Sequence, residues 1–321
     1  MFDINPTDYR NFIYGIVSKN HLAKKGWCAF TLWDEKLILF WNNGKVNCFK
    51  NVCPHYGLPL SQGKLNKKTV QCGFHGWEFD LSNGTLLKAP YARKLPNCKL
   101  KSYKAFVKGG MVFVYPGDEE YFETAKRFII DDVVDKQAST SIEYEAPFYL
   151  AMNSSMDYPH FAFHSLYKPV YGLYRAIFFK KNPLLTTYTP TMLEEKETHF
   201  KYKIPENNVE VTVYPFCTQY HDLLTSNKWQ SFVSPMSKIN SRYLHNFKSH
   251  SNVVSRTLTY TLFHTMVRYL SLPEDQVWLK TSYENAKEKG NFNFCDHDFS
   301  LKNYLRKFFI HPKNSKPLAL E

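Results

Sequence analysis

The sequence predicts an all-β domain followed by an α+β domain. Residues 27–115 alternate short β-favouring runs with turn signals such as Asp34-Glu35 and Ser82-Asn83-Gly84. Polar and acidic residues follow at Pro116–Glu120, and beyond them strand-like runs alternate with two helical segments. A chain of 321 residues is long enough for two domains that each have a hydrophobic core. We therefore place the domains at residues 1–117 and 118–321.

Period-two patterns and turn residues locate the individual elements. In the first domain the expected strands are Trp27–Trp33, Lys36–Trp41, Lys45–Phe49, Trp77–Asp80 and Met111–Tyr115. In the second domain the expected strands are Ser139–Tyr149, His199–Ile204, Val209–Tyr214, Lys228–Ser234, Arg242–Phe247 and Ser255–His264. Helices are expected at Leu150–Ser165 and from Pro273 to about Lys289, the latter with acidic residues in its first turn, where the helix dipole favours them.

Two short stretches of the first domain carry metal-ligand residues. Cys53-Pro54-His55 is separated by sixteen residues from Cys72-Gly73-Phe74-His75, so each stretch offers one thiolate and one imidazole. Zinc sites more often place two cysteines on one loop and two histidines elsewhere. One cysteine and one histidine per loop is typical of a Rieske [2Fe–2S] cluster, which has two cysteines on one iron and two histidines on the other. The motif thus predicts an electron-relay site, with zinc as the alternative.

The net charge of the chain is +12, and most of it lies near these loops. Residues 1–110 contain 17 Lys and Arg residues against 6 Asp and Glu residues, a net charge of +11. The sequence has no nucleic-acid-binding motif, so we expect no nucleic acid partner. The basic segment favours a docking surface for an acidic redox partner, and a merely solvated lysine-rich surface is the other interpretation.

Cysteine usage and hydropathy bear on location. No run approaches the eighteen or so apolar residues of a membrane span, and the N-terminus has no basic-then-apolar targeting signal. The five remaining cysteines show no disulfide pattern, which is typical of a reducing compartment. We therefore expect a cytoplasmic protein without a membrane span.

A second group of candidate ligands lies in the expected helix 150–165. Asn153, Asp157, His160 and His164 fall at i, i+4, i+7 and i+11, on one helix face, and Pro159 should kink the helix. Two histidines and one carboxylate with open positions form the facial triad of non-heme Fe(II) oxygenases. For the carboxylate we select Asp275, at the start of the C-terminal helix, with its neighbour Glu274 as the rival.

With both motifs, the chain resembles the catalytic α subunit of a Rieske-type non-heme iron oxygenase, of the short homotrimeric type. The first matches are the cluster ligands Cys53, His55, Cys72 and His75, with the flanking residues Gly57, Leu60, Gly63, Gly76 and Trp77. Asp157, His160 and His164 match the iron motif, and Asp275-x-x-x-Leu279 resembles the segment of the third ligand. The family usually has four residues between the iron histidines and arginine after the first cluster histidine, where this chain has three residues and Tyr56.

The resemblance implies a helix-grip catalytic domain with a mononuclear Fe(II), and a head-to-tail homotrimer in which Asp157 bridges a cluster histidine of one subunit to His160 of the next. Asp157 and its neighbour Asn153 are thus the catalytic candidates. The implied activity is O2-dependent hydroxylation or demethylation of a small organic substrate, aromatic or hydrophobic. The sequence has no dinucleotide-binding fingerprint, so electrons are expected from a separate NAD(P)H-dependent reductase or ferredoxin. The alternative is a Rieske-type electron-transfer protein without oxygenase activity.

Overall fold

A computed structural model describes residues 9–42, 44–66, 68–134, 138–164, 188–223, 226–248, 267–289 and 298–308. Seventeen strands lie in these ranges: β1 Tyr14–Ser18, β2 Trp27–Leu32, β3 Glu35–Asn42, β4 Lys45–Lys50, β5 Lys64–Leu65, β6 Thr69–Gln71, β7 Glu78–Asp80, β8 Leu86–Lys88, β9 Ser102–Lys108, β10 Met111–Tyr115, β11 Ala138–Tyr144, β12 Thr191–Lys196, β13 His199–Ile204, β14 Val209–Tyr214, β15 Cys217–Asp222, β16 Lys228–Pro235 and β17 Ser241–Lys248. The helices are α1 Lys19–Lys25, α2 Phe122–Lys126, α3 Phe148–Met156, α4 Leu272–Lys289 and α5 Phe299–Phe308.

Two antiparallel sheets build the N-terminal domain. A six-stranded sheet has the order β1-β10-β9-β4-β3-β2, and a four-stranded sheet has the order β5-β6-β7-β8. The smaller sheet carries the two Cys–His stretches at its ends, because Cys53 precedes β5 and Cys72 follows β6 directly. A separate hydrophobic cluster, which includes both cysteines, Leu60, Val70 and Phe79, lies beneath these loops.

The second domain is a seven-stranded antiparallel sheet covered by helices. Its order is β11-β17-β16-β15-β14-β13-β12. Strands β12 to β17 form a meander, and β11 pairs with β17 at one edge. Helix α3 packs across β15, β16 and β17 and also contacts α4 and α5. Every residue of α3 except Asn153 is buried, so this helix lies in the core between the sheet and α4. The predicted all-β plus α+β helix-grip architecture is confirmed.

The two domains share one hydrophobic core. Strand β1 of the first domain packs against β16 of the second, and the contact is so close that a Cβ on Gly15 would lie 2.7 Å from Cδ1 of Phe232. The hydroxyl of Ser234 donates to the carbonyl of Gly15 (3.0 Å), and the main-chain N–H of Trp33 donates to the carbonyl of Pro235 (3.0 Å). The domains are therefore fixed to each other by apolar packing and main-chain hydrogen bonds.

Most of the expected strands are present, several with the expected bounds, such as Met111–Tyr115 and Val209–Tyr214. The expected strand Ser139–Tyr149 ends at Tyr144, because Pro147 starts a helix at Phe148. The expected strand Ser255–His264 lies outside the described residues. Strands β1, β5, β6, β8, β9, β12 and β15 were not predicted. Strands β12 and β15 are rich in polar residues and lack a clear apolar alternation, and β5, β6 and β8 are only two or three residues long. The domain limits after residue 117 stay a prediction, although the sheets on either side of it are separate.

The first expected helix, Leu150–Ser165, is interrupted. Helix α3 ends at Met156, Asp157 is extended (φ −79°, ψ 91°), and residues Pro159–Phe163 form a short 3₁₀ helix. The prediction of one continuous helix over Leu150–Ser165, with Asn153, Asp157, His160 and His164 on one face, is therefore wrong. The physical reason is Pro159, which lacks the N–H that would donate to the carbonyl of Ser155 and whose ring would clash with that carbonyl, so the α helix ends before it.

The described cysteines are all free thiols: Cys28, Cys48, Cys53, Cys72, Cys98 and Cys217. None of the helices in the described ranges is long and apolar enough to cross a membrane.

Candidate functional site

The two Cys–His loops have the same main-chain hydrogen bonds. The N–H of Cys53 donates to the carbonyl five residues on, at Leu58 (2.9 Å), and its carbonyl accepts from the N–H of Gly57 (2.9 Å). The N–H of Cys72 likewise donates to the carbonyl of Trp77 (2.8 Å), and its carbonyl accepts from Gly76 (3.2 Å). Gly57 and Gly76 both have a positive φ, 78° and 70°, which only glycine adopts without strain. The sequence thus forms two copies of one turn.

These turns bring the four candidate ligands together. The side chains of Cys53 and Cys72 are buried and contact each other, and the imidazole rings of His55 and His75 have centroids 4.8 Å apart. The indole of Trp77 stacks on the ring of His55 at 4.4 Å and 6°. His55 is exposed and His75 is half-buried. A pair of buried thiols below a pair of outward imidazoles fits a cluster with one Cys₂ iron and one His₂ iron.

The pKa of the Cys53 thiol is raised to about 11, chiefly by burial and also by the adjacent Cys72. The main-chain N–H groups of His55 and Tyr56 donate to the same sulfur and oppose this rise. A metal coordinates thiolate, and N–H groups that point at sulfur stabilise thiolate and tune the potential of a bound cluster. The loops therefore fit a [2Fe–2S] group by their donor set and by their hydrogen bonds.

The second candidate site lies where the 3₁₀ helix meets the start of α4. His160, His164 and Asp275 offer ligand atoms that all lie within 4.8 Å of one another. The Nε2 atoms of His160 and His164 are 3.6 Å and 3.4 Å from Oδ1 of Asp275. Ligand atoms that bind one ion at right angles, at about 2.1 Å each, lie about 3 Å apart. The separations are thus close to those that a shared metal would require.

The hydrogen-bond acceptors of the two rings decide which nitrogen carries the proton. Nδ1 of His164 donates to Oε2 of Glu274 (2.6 Å), and Nδ1 of His160 donates to the main-chain carbonyl of Asp157. A carboxylate and a carbonyl can only accept, so the neutral imidazoles carry their protons on Nδ1. Their Nε2 lone pairs therefore face Oδ1 of Asp275, and a cation at this point would stabilise the arrangement.

Asp275 is held by α3. Its carboxylate is buried, and Oδ2 accepts a hydrogen bond from the hydroxyl of Ser154 (3.1 Å), so that Oδ1 faces the histidines. Burial raises the pKa of Asp275 to about 6, while His160 and the Ser154 hydroxyl act in the opposite direction. Burial also lowers the pKa values of His160 and His164. Neutral imidazoles are the form that binds a metal.

Asp157 and Asn153 lie at the edge of this group. The carboxylate of Asp157 is 3.9 Å from Nδ1 of His160, and its side chain is one-third exposed. The carbonyl of Asn153 accepts from the N–H of Asp157 (2.8 Å), which closes the last turn of α3. The structure thus brings His160, His164 and Asp275 together and places Asp157 beside them. Asn153 contacts this group through its main-chain carbonyl, which accepts from Asp157.

A model of the Rieske [2Fe-2S] domain matches residues 13–104, which include both Cys–His loops. These residues are a Rieske domain. The matched range includes the four candidate ligands that the loops bring together, Cys53, His55, Cys72 and His75.

Curated proteins that are similar to the chain include several oxygenases, and each match covers only part of their length. The chain is 26% identical over 160 residues to chlorophyllide a oxygenase, chloroplastic, of Oryza sativa subsp. japonica, a match that covers 50% of this chain and 29% of that protein. It is 28% identical over 134 residues to the terminal oxygenase component CarAa of carbazole 1,9a-dioxygenase from Metapseudomonas resinovorans, with 39% and 35% covered. The chain spans less than a third of the first relatives it matches.

Solved structures match over almost the whole chain. The oxygenase in the reduced oxygenase–ferredoxin complex of carbazole 1,9a-dioxygenase superimposes with a TM-score of 0.70 at 17% identity, covering 98% of this chain and 94% of that one. Dicamba monooxygenase bound to dicamba superimposes with a TM-score of 0.70 at 15% identity, covering 93% and 96%. The Rieske domain and the helix-grip domain therefore share the fold of these oxygenases.

Sequence reasoning did not find the residues that support the ligands. Ser154 looks like an ordinary polar residue of a helix, and Trp278, which stacks on His164 (4.8 Å, 22°), has no motif around it. Glu274 was considered as a ligand, whereas the structure places its carboxylate on the far nitrogen of His164. Glu274 and Trp278 are spaced i, i+4 and so share a helix face, and this spacing is the sequence signal that both side chains can contact the same group.

Proposed function

We propose that the chain is a terminal oxygenase component, which uses electrons from a separate protein to activate O2 at a mononuclear Fe(II) and to hydroxylate or demethylate a small organic substrate. The observation that supports this most directly is the group of His160, His164 and Asp275 ligand atoms within 4.8 Å, in a chain that also has a Rieske domain. A pure electron-transfer protein has no use for this buried second site.

In this proposal the chain's own residues have distinct tasks. Cys53, His55, Cys72 and His75 hold the cluster, and His160, His164 and Asp275 hold the Fe(II). When bound, the cluster supplies one-electron transfer and the Fe(II) supplies O2 activation. The acceptors on both Nδ1 atoms keep the Nε2 lone pairs directed at Asp275, so the site is preorganised for a metal.

The surroundings of Asp275 favour an apolar or aromatic substrate. Tyr144 and Tyr243 are buried, their ring centroids are 5.5 Å apart, and the charge of Asp275 raises the pKa of both in addition to the larger effect of burial. Both strands β11 and β17 therefore present aromatic rings on the side of the candidate metal site. These buried rings keep water away from Asp275, an environment that suits an apolar or aromatic substrate.

We further propose an acidic electron donor and a homotrimer in the cytoplasm. The segment 90–95 lies beside the second cluster loop, since a Cβ on Gly76 would be 3.3 Å from Pro90, and Arg93 and Lys94 are exposed there. Exposed aromatic side chains on the cluster loops, Tyr56 (72% exposed) and Phe74 (60% exposed), support contact with a neighbouring subunit. A solved structure contains the oxygenase of carbazole 1,9a-dioxygenase in complex with ferredoxin, which supports a ferredoxin as the donor here.

Metal analysis with two variants tests the proposal. Anaerobically purified protein is expected to be red-brown, with about three irons per chain and a Rieske-type signal on reduction. His160→Ala and Asp275→Asn are expected to retain about two irons and an unchanged cluster signal. O2 uptake with a surrogate reductase and a panel of aromatic and alicyclic substrates then identifies the substrate, and the variants should take up no O2 with it.

Two outcomes contradict the proposal. Wild-type protein with two irons per chain and no substrate-dependent O2 uptake would identify an electron-transfer protein. A colourless preparation that contains zinc would exclude both functions.

A further inference from the structure

The first two turns of α4 contact the ring of His164 on several sides. Oε2 of Glu274 accepts the hydrogen bond of Nδ1 (2.6 Å), Oδ1 of Asp275 lies 3.4 Å from Nε2, and the indole of Trp278 stacks on the ring (4.8 Å, 22°). The side chain of His164 is only 1% exposed. The orientation of this imidazole is therefore set by one helix and not by the 3₁₀ segment that carries it.

We propose that Glu274 is a positioning residue, which fixes the Nδ1–H tautomer and the ring orientation of His164 and thereby raises its affinity for the metal. The inference rests on the proposed function, since it concerns the same Fe(II) site. It assigns Glu274 a task different from that of its neighbour Asp275, the ligand.

The geometry separates the two adjacent carboxylates. Successive residues of an α helix point about 100° apart, so Glu274 and Asp275 cannot approach one atom from the same side. Asp275 faces both Nε2 atoms and is 6% exposed, whereas Glu274 contacts the opposite nitrogen of His164 and is 26% exposed. One carboxylate therefore lies on the metal side of the ring and the other on the far side.

A hydrogen bond from the far nitrogen to a carboxylate makes a histidine a stronger ligand. The carboxylate stabilises the Nδ1–H tautomer, aligns the Nε2 lone pair and increases its basicity. His160 has a weaker equivalent, because a neutral main-chain carbonyl of Asp157 accepts from its Nδ1. The two histidines are thus expected to differ, with His164 the one that depends on a side chain.

Metal affinity and the imidazole N–H protons test this inference. The purified protein with its cluster intact is loaded at the second site with Co(II) in competition with a chelator. Glu274→Ala is expected to lower the Co(II) affinity about 10- to 100-fold. Glu274→Gln keeps an acceptor oxygen for Nδ1 and is expected to lose only a few-fold, while Asp275→Asn should lose far more than either. Glu288→Gln, an exposed carboxylate on the same helix, is the matched control and should bind like the wild type.

The paramagnetically shifted N–H protons of the two ligand imidazoles give a second readout, independent of activity. Wild-type protein should show two slowly exchanging N–H resonances, and Glu274→Ala should lose that of His164 while that of His160 persists. The cluster absorption shows that each variant is folded.

Three results would overturn the inference, and they separate it from the proposed function. Wild-type affinity with both N–H resonances in Glu274→Ala would exclude the positioning role alone. Loss of Co(II) in Glu274→Gln as complete as in Asp275→Asn would identify Glu274 as a ligand. Wild-type protein that takes up no metal at the second site would overturn the proposed function together with the inference.

Discussion

The Nδ1–H of His160 donates to the main-chain carbonyl of Asp157, whereas the carboxylate of Asp157 lies 3.9 Å from that nitrogen. The side chain of this residue is therefore not what orients His160. The main-chain carbonyl of Asp157 does so instead, on the residue whose N–H closes the last turn of α3, and the carboxylate of Asp157 is one-third exposed. This arrangement is suited to a residue that contacts a neighbouring subunit.

Asp157→Asn is expected to leave both metal sites intact and to abolish turnover, because the substitution keeps the main-chain acceptor of His160 and removes only the carboxylate charge. Iron content and reduction of the cluster by its donor should match the wild type. Reoxidation of the prereduced cluster by O2 and substrate in a single turnover should be slower by at least 100-fold. Reoxidation near the wild-type rate would exclude a bridging role.

If Asp157 has only a structural role, a different result is expected for Asp157→Asn. If the carboxylate supported the metal after all, iron occupancy and activity would decrease together, by roughly 10- to 100-fold. Ser154→Ala is the useful comparison, since its hydroxyl donates to Oδ2 of Asp275 and its loss should affect metal affinity but not electron transfer between sites.

Gly15→Ala is expected to destabilise the protein by about 1–3 kcal/mol, because the new Cβ would lie 2.7 Å from Cδ1 of the buried Phe232. Thermal unfolding followed by circular dichroism measures the loss. Phe232→Leu should destabilise the wild type by leaving a cavity, but it should cost less in the Gly15→Ala background. Strict additivity of the two substitutions would show that the clash is relieved elsewhere.

The carboxylate of Glu35 is expected to make the stability depend on pH. Burial alone would raise the pKa of Glu35, but hydrogen bonds from Tyr103 and Arg10 (2.8 Å), together with the charge of Lys101, outweigh burial and lower the pKa. A carboxyl whose pKa is lower in the folded state stabilises the protein above its unfolded pKa of about 4.3. That contribution is lost as the pH decreases through the lower folded pKa.

Glu35→Gln should therefore be less stable than the wild type by about 1–3 kcal/mol at pH 7, because Arg10 loses its charged partner. Between pH 7 and pH 5 the difference should be constant, and below about pH 4 it should shrink as Glu35 of the wild type is protonated. Urea unfolding at a series of pH values measures it. If the wild type and Glu35→Gln differed in free energy of unfolding by the same amount at pH 3 and pH 7, the lowered pKa of Glu35 would be contradicted.

Charge reversal beside the second cluster loop should slow reduction by an acidic donor. Arg93→Glu/Lys94→Glu is expected to reduce the rate at about 50 mM salt several-fold and to flatten its salt dependence, because long-range steering is screened at about 500 mM. Stopped-flow reduction of the cluster measures both effects. Lys287→Glu/Lys289→Glu, at the C-terminal end of α4, is the charge-matched control. A rate that does not change with salt in the wild type would leave these residues without a docking role.

The sequence by itself determined the cluster site and most of the strand pattern. Cys53, His55, Cys72 and His75 are recognisable because both turns are local, each closed by hydrogen bonds within six residues of its cysteine. Strands such as Val209–Tyr214 are also recognisable from local sequence, because their buried and half-buried residues alternate along the chain.

Only the tertiary structure decided which partners the second site has. Glu274 and Asp275 are adjacent, acidic and in the same first turn, and no local property distinguishes a ligand from a hydrogen-bond acceptor. Their tasks follow from how α4 docks on α3 and on the 3₁₀ segment of His160 and His164, and that docking depends on side chains more than a hundred residues apart, such as Ser154 and Asp275. Local patterns specify turns and strands, whereas the packing of distant elements specifies which atoms meet.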